Sequence, residues 1–210
     1  MPDDNDNDEK HAVGRRRFLF GTGIATVATG VALEGCPDPQ TSLRATGAVF
    51  GPGRVAVKLR VNGADHAIEL EPRTTLAEAL RLNLGLTGTK IGCDRGACSA
   101  CTVWLDNVPV NSCTTFALDA VGRSVTTIEG LAQGDRLHPV QDAFIAHDAT
   151  QCGFCTPGMV MSCAALLARN ANPTRDDVRA ATSGNLCRCG AYPTIEGATL
   201  AAAGAKKGAG

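Results

Sequence analysis

From Arg54 to Val61 the chain alternates, with Val55, Val57, Leu59 and Val61 on one face. A period of two belongs to a half-buried strand. Asn62-Gly63 follows, a dipeptide suited to a two-residue hairpin turn because both of its residues tolerate positive φ. Ala67–Leu70, with Ile68 and Leu70 apolar, predicts the return strand. Thr74 or Thr75 can then cap a helix carrying Leu76, Ala79, Leu80 and Leu82. A Gly- and Cys-rich loop runs from Gly85 to Cys101. Thr102–Leu105 and Val108–Val110 predict two strands joined by an Asp106-Asn107 turn, and Ser124–Ile128 a last one. Trp104 reads as a strand residue of this first core.

The period then changes. Val140, Phe144, Ile145 and His147 predict a helix after Pro139, Met159–Ala168 a second, a Thr174-capped segment through Ala181 a third, and Pro193–Ala203 a fourth. Asp176 and Asp177 fall in the first turn of the third, where the helix dipole favours acids. The expected fold is therefore α+β over residues 54–128, followed by an all-α domain over residues 129–203. Residues 204–210 are low in complexity and read as a disordered tail, and residues 37–53, rich in Pro and Gly, as a linker.

The first 36 residues do not read as fold. An acidic stretch precedes Arg15-Arg16-Arg17-Phe18-Leu19, and no residue from Leu19 to Leu33 is charged. A positive segment followed by a short apolar one is an export signal, and the arginine pair before Phe-Leu matches the twin-arginine type. The apolar run falls short of the roughly 20 residues of a membrane span. The expected location is the periplasm, with the membrane met only during export or through a lipid anchor on Cys36.

Composition narrows the function. Net charge is −1 and aromatics make up 4% of the chain, so neither a basic field nor stacking platforms point to nucleic acid. Ten cysteines do need an explanation. Cys93-x4-Cys98-x2-Cys101, with Cys113 after eleven intervening residues, has the spacing of plant-type [2Fe–2S] ligands. Gly92 and Gly96 suit a loop that must bring its amides close to an anionic cluster. The second set is Cys152-x2-Cys155 and Cys187-x-Cys189; by spacing alone it suits either a [2Fe–2S] cluster or zinc. Cys163 lies among apolar residues at helical spacing and reads as core. His138 and His147 read as surface or packing residues.

Three stretches carry a resemblance: Thr89–Cys98, Gln151–Gly158 and Gly184–Gly190, with sequences TKIGCDRGAC, QCGFCTPG and GNLCRCG. In this order they resemble the small iron–sulfur subunit of the xanthine oxidase, or molybdenum hydroxylase, family. With the export signal in front, the resemblance is to the iron–sulfur subunits of periplasmic aldehyde oxidoreductases. It implies a β-grasp ferredoxin-like domain followed by a four-helix domain, each holding one [2Fe–2S] cluster. It also implies no catalytic residue in this chain, a large molybdopterin-binding partner, and a medium FAD-binding partner. Gln151 and Cys189 would lie near the pterin, and the loop Gly92–Cys101 would face the electron exit. Aldehyde oxidation is the expected chemistry of the complex. The alternatives are an N-heterocycle (isoquinoline-type) oxidoreductase without FAD, a free-standing ferredoxin, and a zinc- or disulfide-stapled module.

Overall fold

The computed structural model describes residues 50–207. The arginine pair, Cys36 and residues 208–210 lie outside these described residues.

Two antiparallel strands open the fold, β1 (Val55–Val61) and β2 (Ala64–Leu70), paired from Val55 with Leu70 to Val61 with Ala64. Asn62 and Gly63 turn between them with φ of 51° and 83°, the two positive values a tight hairpin needs. β2 starts three residues earlier than the apolar pattern indicated, because ladder pairing continues over polar Asp65 and His66. β3 (Thr102–Leu105) and β4 (Val108–Asn111) form the second hairpin. β5 (Ser124–Thr126) lies between the hairpins, parallel to β1 and antiparallel to β3, so the order is β2-β1-β5-β3-β4. After β5 the chain leaves the sheet in a 3-10 turn, Ile128–Gly130.

Helix α1 (Leu76–Glu78) begins at Thr75, whose hydroxyl accepts from the Glu78 N–H while the Glu78 carboxylate accepts from the Thr75 N–H. It continues as a π turn over Ala79–Asn83, with Leu84 N–H donating to Ala79 O at 3.1 Å. Leu80 is fully buried, whereas Leu82, two residues on and so on the opposite side of the helix, is 78% exposed. Leu59, Leu76, Leu80, Val103 and Val125 form the core between sheet and helix.

The remaining elements are α2 (Pro139–Ala146), α3 (Thr156–Arg169), α4 (Arg175–Thr182) and α5 (Tyr192–Lys207). His138 caps α2, its Nδ1 accepting from the Val140 N–H, while Gln141 accepts from the His138 N–H. It is thus neither a mere surface residue nor filler. Thr174 caps α4 in the same reciprocal way with Asp177. α5 runs to Lys207, so the tail expected from Gly204 is helical at its start. Ala-rich sequence with Lys at the end of a helix is as compatible with a last turn as with disorder.

α3 is the centre of the second core, with Met159, Met161, Cys163 and Leu167 packed against Phe144, Ile195 and Ala198. Cys163 is fully buried, and burial pushes its thiol up to about 11. Trp104 corrects an expectation. It stands in β3, but its ring packs on the helical core and its Nε1–H donates to Met161 O at 3.0 Å. The two halves group as a single unit.

Candidate metal centres

The first four cysteines come from one long loop and the end of a hairpin. Cys93, Cys98 and Cys101 lie between α1 and β3, and Cys113 follows β4. The loop turns back on itself through Asp94, Gly96 and Ser99, with φ of 53°, 74° and 52°. Inward amides result. Ala97 N–H donates to Cys93 Sγ at 3.2 Å and Gly96 N–H to Cys113 Sγ at 3.3 Å. Amides directed at sulfur stabilise thiolate. The Arg95 N–H, opposed by some desolvation and helped by the Cys98 thiol, brings Cys93 down to about 7. Burial pushes Cys113 up to about 11, with Cys101 adding to the effect. Cys101 and Cys113 are buried beside Ala77 and Ile91, whereas Cys93 and Cys98 are half-buried.

The loop's entry is held by a residue without any sequence signal. The π turn places Arg81 so that its Nη1 donates to Thr87 O at 2.8 Å and Thr89 O at 2.6 Å. Glu129, beyond β5, accepts from the Gly88 N–H at 2.8 Å. Neither stands in a cysteine motif, and only the fold brings them there.

The second four cysteines lie at two helix ends. Cys152 and Cys155 precede α3, with Cys155 at its N-cap, and Cys187 and Cys189 precede α5. The Phe154 N–H lowers Cys152, with help from the Cys189 thiol. Burial pushes Cys155 up to about 12. Burial also works on Cys187, but the Ala191 N–H and the Cys155 thiol outweigh it, so this thiol is lowered. The Tyr192 hydroxyl holds the Cys187 loop, accepting from the Cys187 N–H at 2.8 Å and donating to Asn185 O at 3.1 Å. Gln151 and Cys189 are both exposed, and Cys152, next to Gln151, contacts Cys189.

All eight cysteines are free thiols. They meet two by two: Cys93 with Cys98, Cys101 with Cys113, Cys152 with Cys189, and Cys155 with Cys187. Among the described residues, no three Cys, His, Asp or Glu side chains converge on a point that would hold one metal ion. A [2Fe–2S] cluster instead takes two thiolates at each of two irons set apart, so the paired donors fit it.

The loop Gly92–Cys101 does not face away from the helical half. Leu186 N–H donates to Cys98 O at 3.0 Å, and Asn185 Nδ2 to Ser99 O at 3.0 Å. Cys93 and Cys98, Cys152 and Cys155 line one cavity of about 310 Å³, together with Phe154, Leu186 and Arg188. The side of the first site turned towards the second is therefore the Cys93–Cys98 side, and the Cys101–Cys113 pair lies deeper in the sheet half.

Comparison with known proteins agrees with this arrangement. The 2Fe-2S iron-sulfur cluster binding domain family matches residues 59–124, and the [2Fe-2S] binding domain family residues 127–200. The chain is 42% identical over 206 residues to the aldehyde oxidoreductase iron-sulfur-binding subunit PaoA of Escherichia coli K12, covering 90% of this chain and 88% of that one. It is 48% identical over 151 residues to the nicotine 6-hydroxylase small subunit of Paenarthrobacter nicotinovorans, covering 72% and 91%. Among solved structures, a chain of quinoline 2-oxidoreductase from Pseudomonas putida 86 superposes with a TM-score of 0.71 at 47% identity, covering 74% of this chain and 98% of that one.

Proposed function

The chain belongs to the xanthine oxidase (molybdenum hydroxylase) family as a small iron–sulfur subunit, and from that premise we propose the working parts of its electron-transfer role. Cys93, Cys98, Cys101 and Cys113 hold one [2Fe–2S] cluster, and Cys152, Cys155, Cys187 and Cys189 hold the other. When bound, each cluster supplies one-electron chemistry without a proton or a new bond at the protein. The chain's own residues do the rest. Inward amides of Gly96, Ala97 and Ala191 offset the negative charge of the thiolates. Burial of Cys101 and Cys113 keeps water from one side of the first site. The observation that carries the reading is the Leu186 N–H to Cys98 O hydrogen bond. It joins the residue before Cys187 directly to a residue of the other site.

In this reading substrate is converted on another polypeptide. We assign that role to a large molybdopterin-binding subunit, met through the exposed edge bearing Gln151 and Cys189. A medium FAD-binding subunit is the proposed acceptor, and an aldehyde the substrate, which rests on the similarity to PaoA over 90% of the chain. A second reading, an N-heterocycle oxidoreductase, is favoured by the higher identities, 48% and 47%, to nicotine- and quinoline-oxidising relatives. Export by the twin-arginine route is proposed from Arg15 and Arg16 together with the uncharged segment behind them.

One preparation tests these statements. The chain, tagged at its C-terminus and expressed with its neighbouring genes, is purified and analysed for iron, sulfide, molybdenum and FAD. The expected result is about four irons and four labile sulfides per chain, with two reduced-state EPR signals, and a co-purifying molybdenum subunit. Turnover of benzaldehyde but not quinoline selects the first reading, and the reverse selects the second. Stoichiometric zinc in place of iron would refute both.

A further inference from the structure

The line of contact between the two cysteine sites is made of backbone, and glycines make it possible. A Cβ at Gly158, in the first turn of α3, would lie 2.3 Å from Ser99 O and 3.1 Å from both Ala100 Cα and Ala100 O. One at Gly184 would meet Ser99 Oγ at 3.3 Å, and one at Gly92 the Phe154 ring at 3.5 Å. Of these three, Gly158 has the severest contact, and it is with main chain. The oxygen cannot easily retreat. Ser99 O accepts from Thr102 Oγ1 at 2.7 Å, Asn185 Nδ2 at 3.0 Å and Thr102 N–H at 3.3 Å. Asn185 is fixed in turn by Ser162 Oγ of α3, which donates to its Oδ1 at 2.9 Å. Ser99 itself holds a left-handed backbone, φ 52°, which a non-glycine residue adopts only under constraint.

We propose that Gly158 is a positioning residue that sets the spacing between the two cysteine sites, with the pinned Ser99 carbonyl as its stop. The residue lies three positions after Cys155 and directly against the backbone that follows Cys98. Any side chain at 158 must therefore displace the start of α3, and Cys155 with it, away from the first site. Because electron exchange between two centres falls steeply with their separation, the missing side chain has a direct consequence for the relay. This inference rests on the functional reading above for its meaning, though not for its geometry.

The test is Gly158→Ala in the full-length, cluster-loaded chain, beside Gly197→Ala. Gly197, on α5, has no atom within 4 Å of a Cβ position and serves as the control. With both clusters reduced, low-temperature EPR reads the magnetic splitting between them. Gly158→Ala is expected to retain full iron yet show a clearly reduced splitting, with Gly197→Ala unchanged. A crystal structure of the same variant gives a reading that needs no cluster, in which the Cys98-to-Cys155 separation should lengthen. Full iron with an unchanged splitting and separation would overturn the proposal. If Gly158→Ala yields no folded protein, Asn185→Asp, which keeps the size but loses the donor to Ser99 O, is measured instead, with the same two outcomes deciding. Absence of paired clusters in the unmutated chain would sink the functional reading alone, since the separation in the crystal still decides the spacing.

Discussion

At the scale of single residues, the nine described thiols divide by what surrounds them. Eight meet another thiol, while Cys163 meets α5, with its thiol against Thr199. Cys163→Ala should therefore leave the iron and sulfide content unchanged and cost on the order of 1 kcal/mol, the scale of one small core deletion. A denaturant titration beside metal analysis checks both halves of that statement. Cys113→Ser should behave oppositely. An alkoxide is a harder and poorer ligand for iron than a thiolate, so one EPR signal should disappear or be altered while the signal from the other site persists. Loss of both signals together would mean that the two sites do not load independently. The motif spacings made all eight cysteines visible, because ligand spacing is local in sequence. Arg81 and Tyr192 were not visible, because a side chain that hydrogen-bonds a distant backbone leaves no spacing to read.

At the scale of elements, caps and buried helix faces each carry a testable consequence. The Thr75 and Thr174 caps stand where the sequence placed them, since a cap is decided within four residues. Thr75→Ala should lower stability by about 1 kcal/mol, seen as a lower denaturation midpoint at unchanged m-value. Leu82 stands about 200° round the helix from Leu80 and emerges into solvent at 78% exposure. Leu82→Gln should accordingly change stability by less than about 0.5 kcal/mol, as surface substitutions do. Leu80→Ala, two residues away and fully buried, should cost about 2–5 kcal/mol. Equal effects of the two substitutions would contradict the burial of Leu80 and the exposure of Leu82.

At the scale of the whole molecule, the two halves are joined by contacts that neither half makes alone. Trp104 binds Met161 O, Asn185 binds Ser99 O, and Leu186 binds Cys98 O. Such a seam should couple their unfolding. The cluster-loaded protein is expected to melt in one calorimetric transition, and two separated transitions would show that the seam is energetically weak. Trp104→Phe keeps most of the ring's packing but removes its donor, so about 0.5–1.5 kcal/mol should be lost, with no change in iron content.

The sequence by itself determined the class of each half, the hairpins, the Thr75 and Thr174 caps and the spacing that marks the eight candidate ligands. Each of those depends on residues close together in the chain: a period of two or 3.6, a turn dipeptide, a cysteine spacing. It also carried the family, through three short motifs in order. Tertiary structure alone decided which way the first cysteine loop faces, which core receives Trp104, and which glycine marks a close approach. Gly158 and Gly197 look alike in sequence, each a glycine in a helix. Only the approach of the Ser99 carbonyl to one of them, from a segment some sixty residues away in the chain, makes it different.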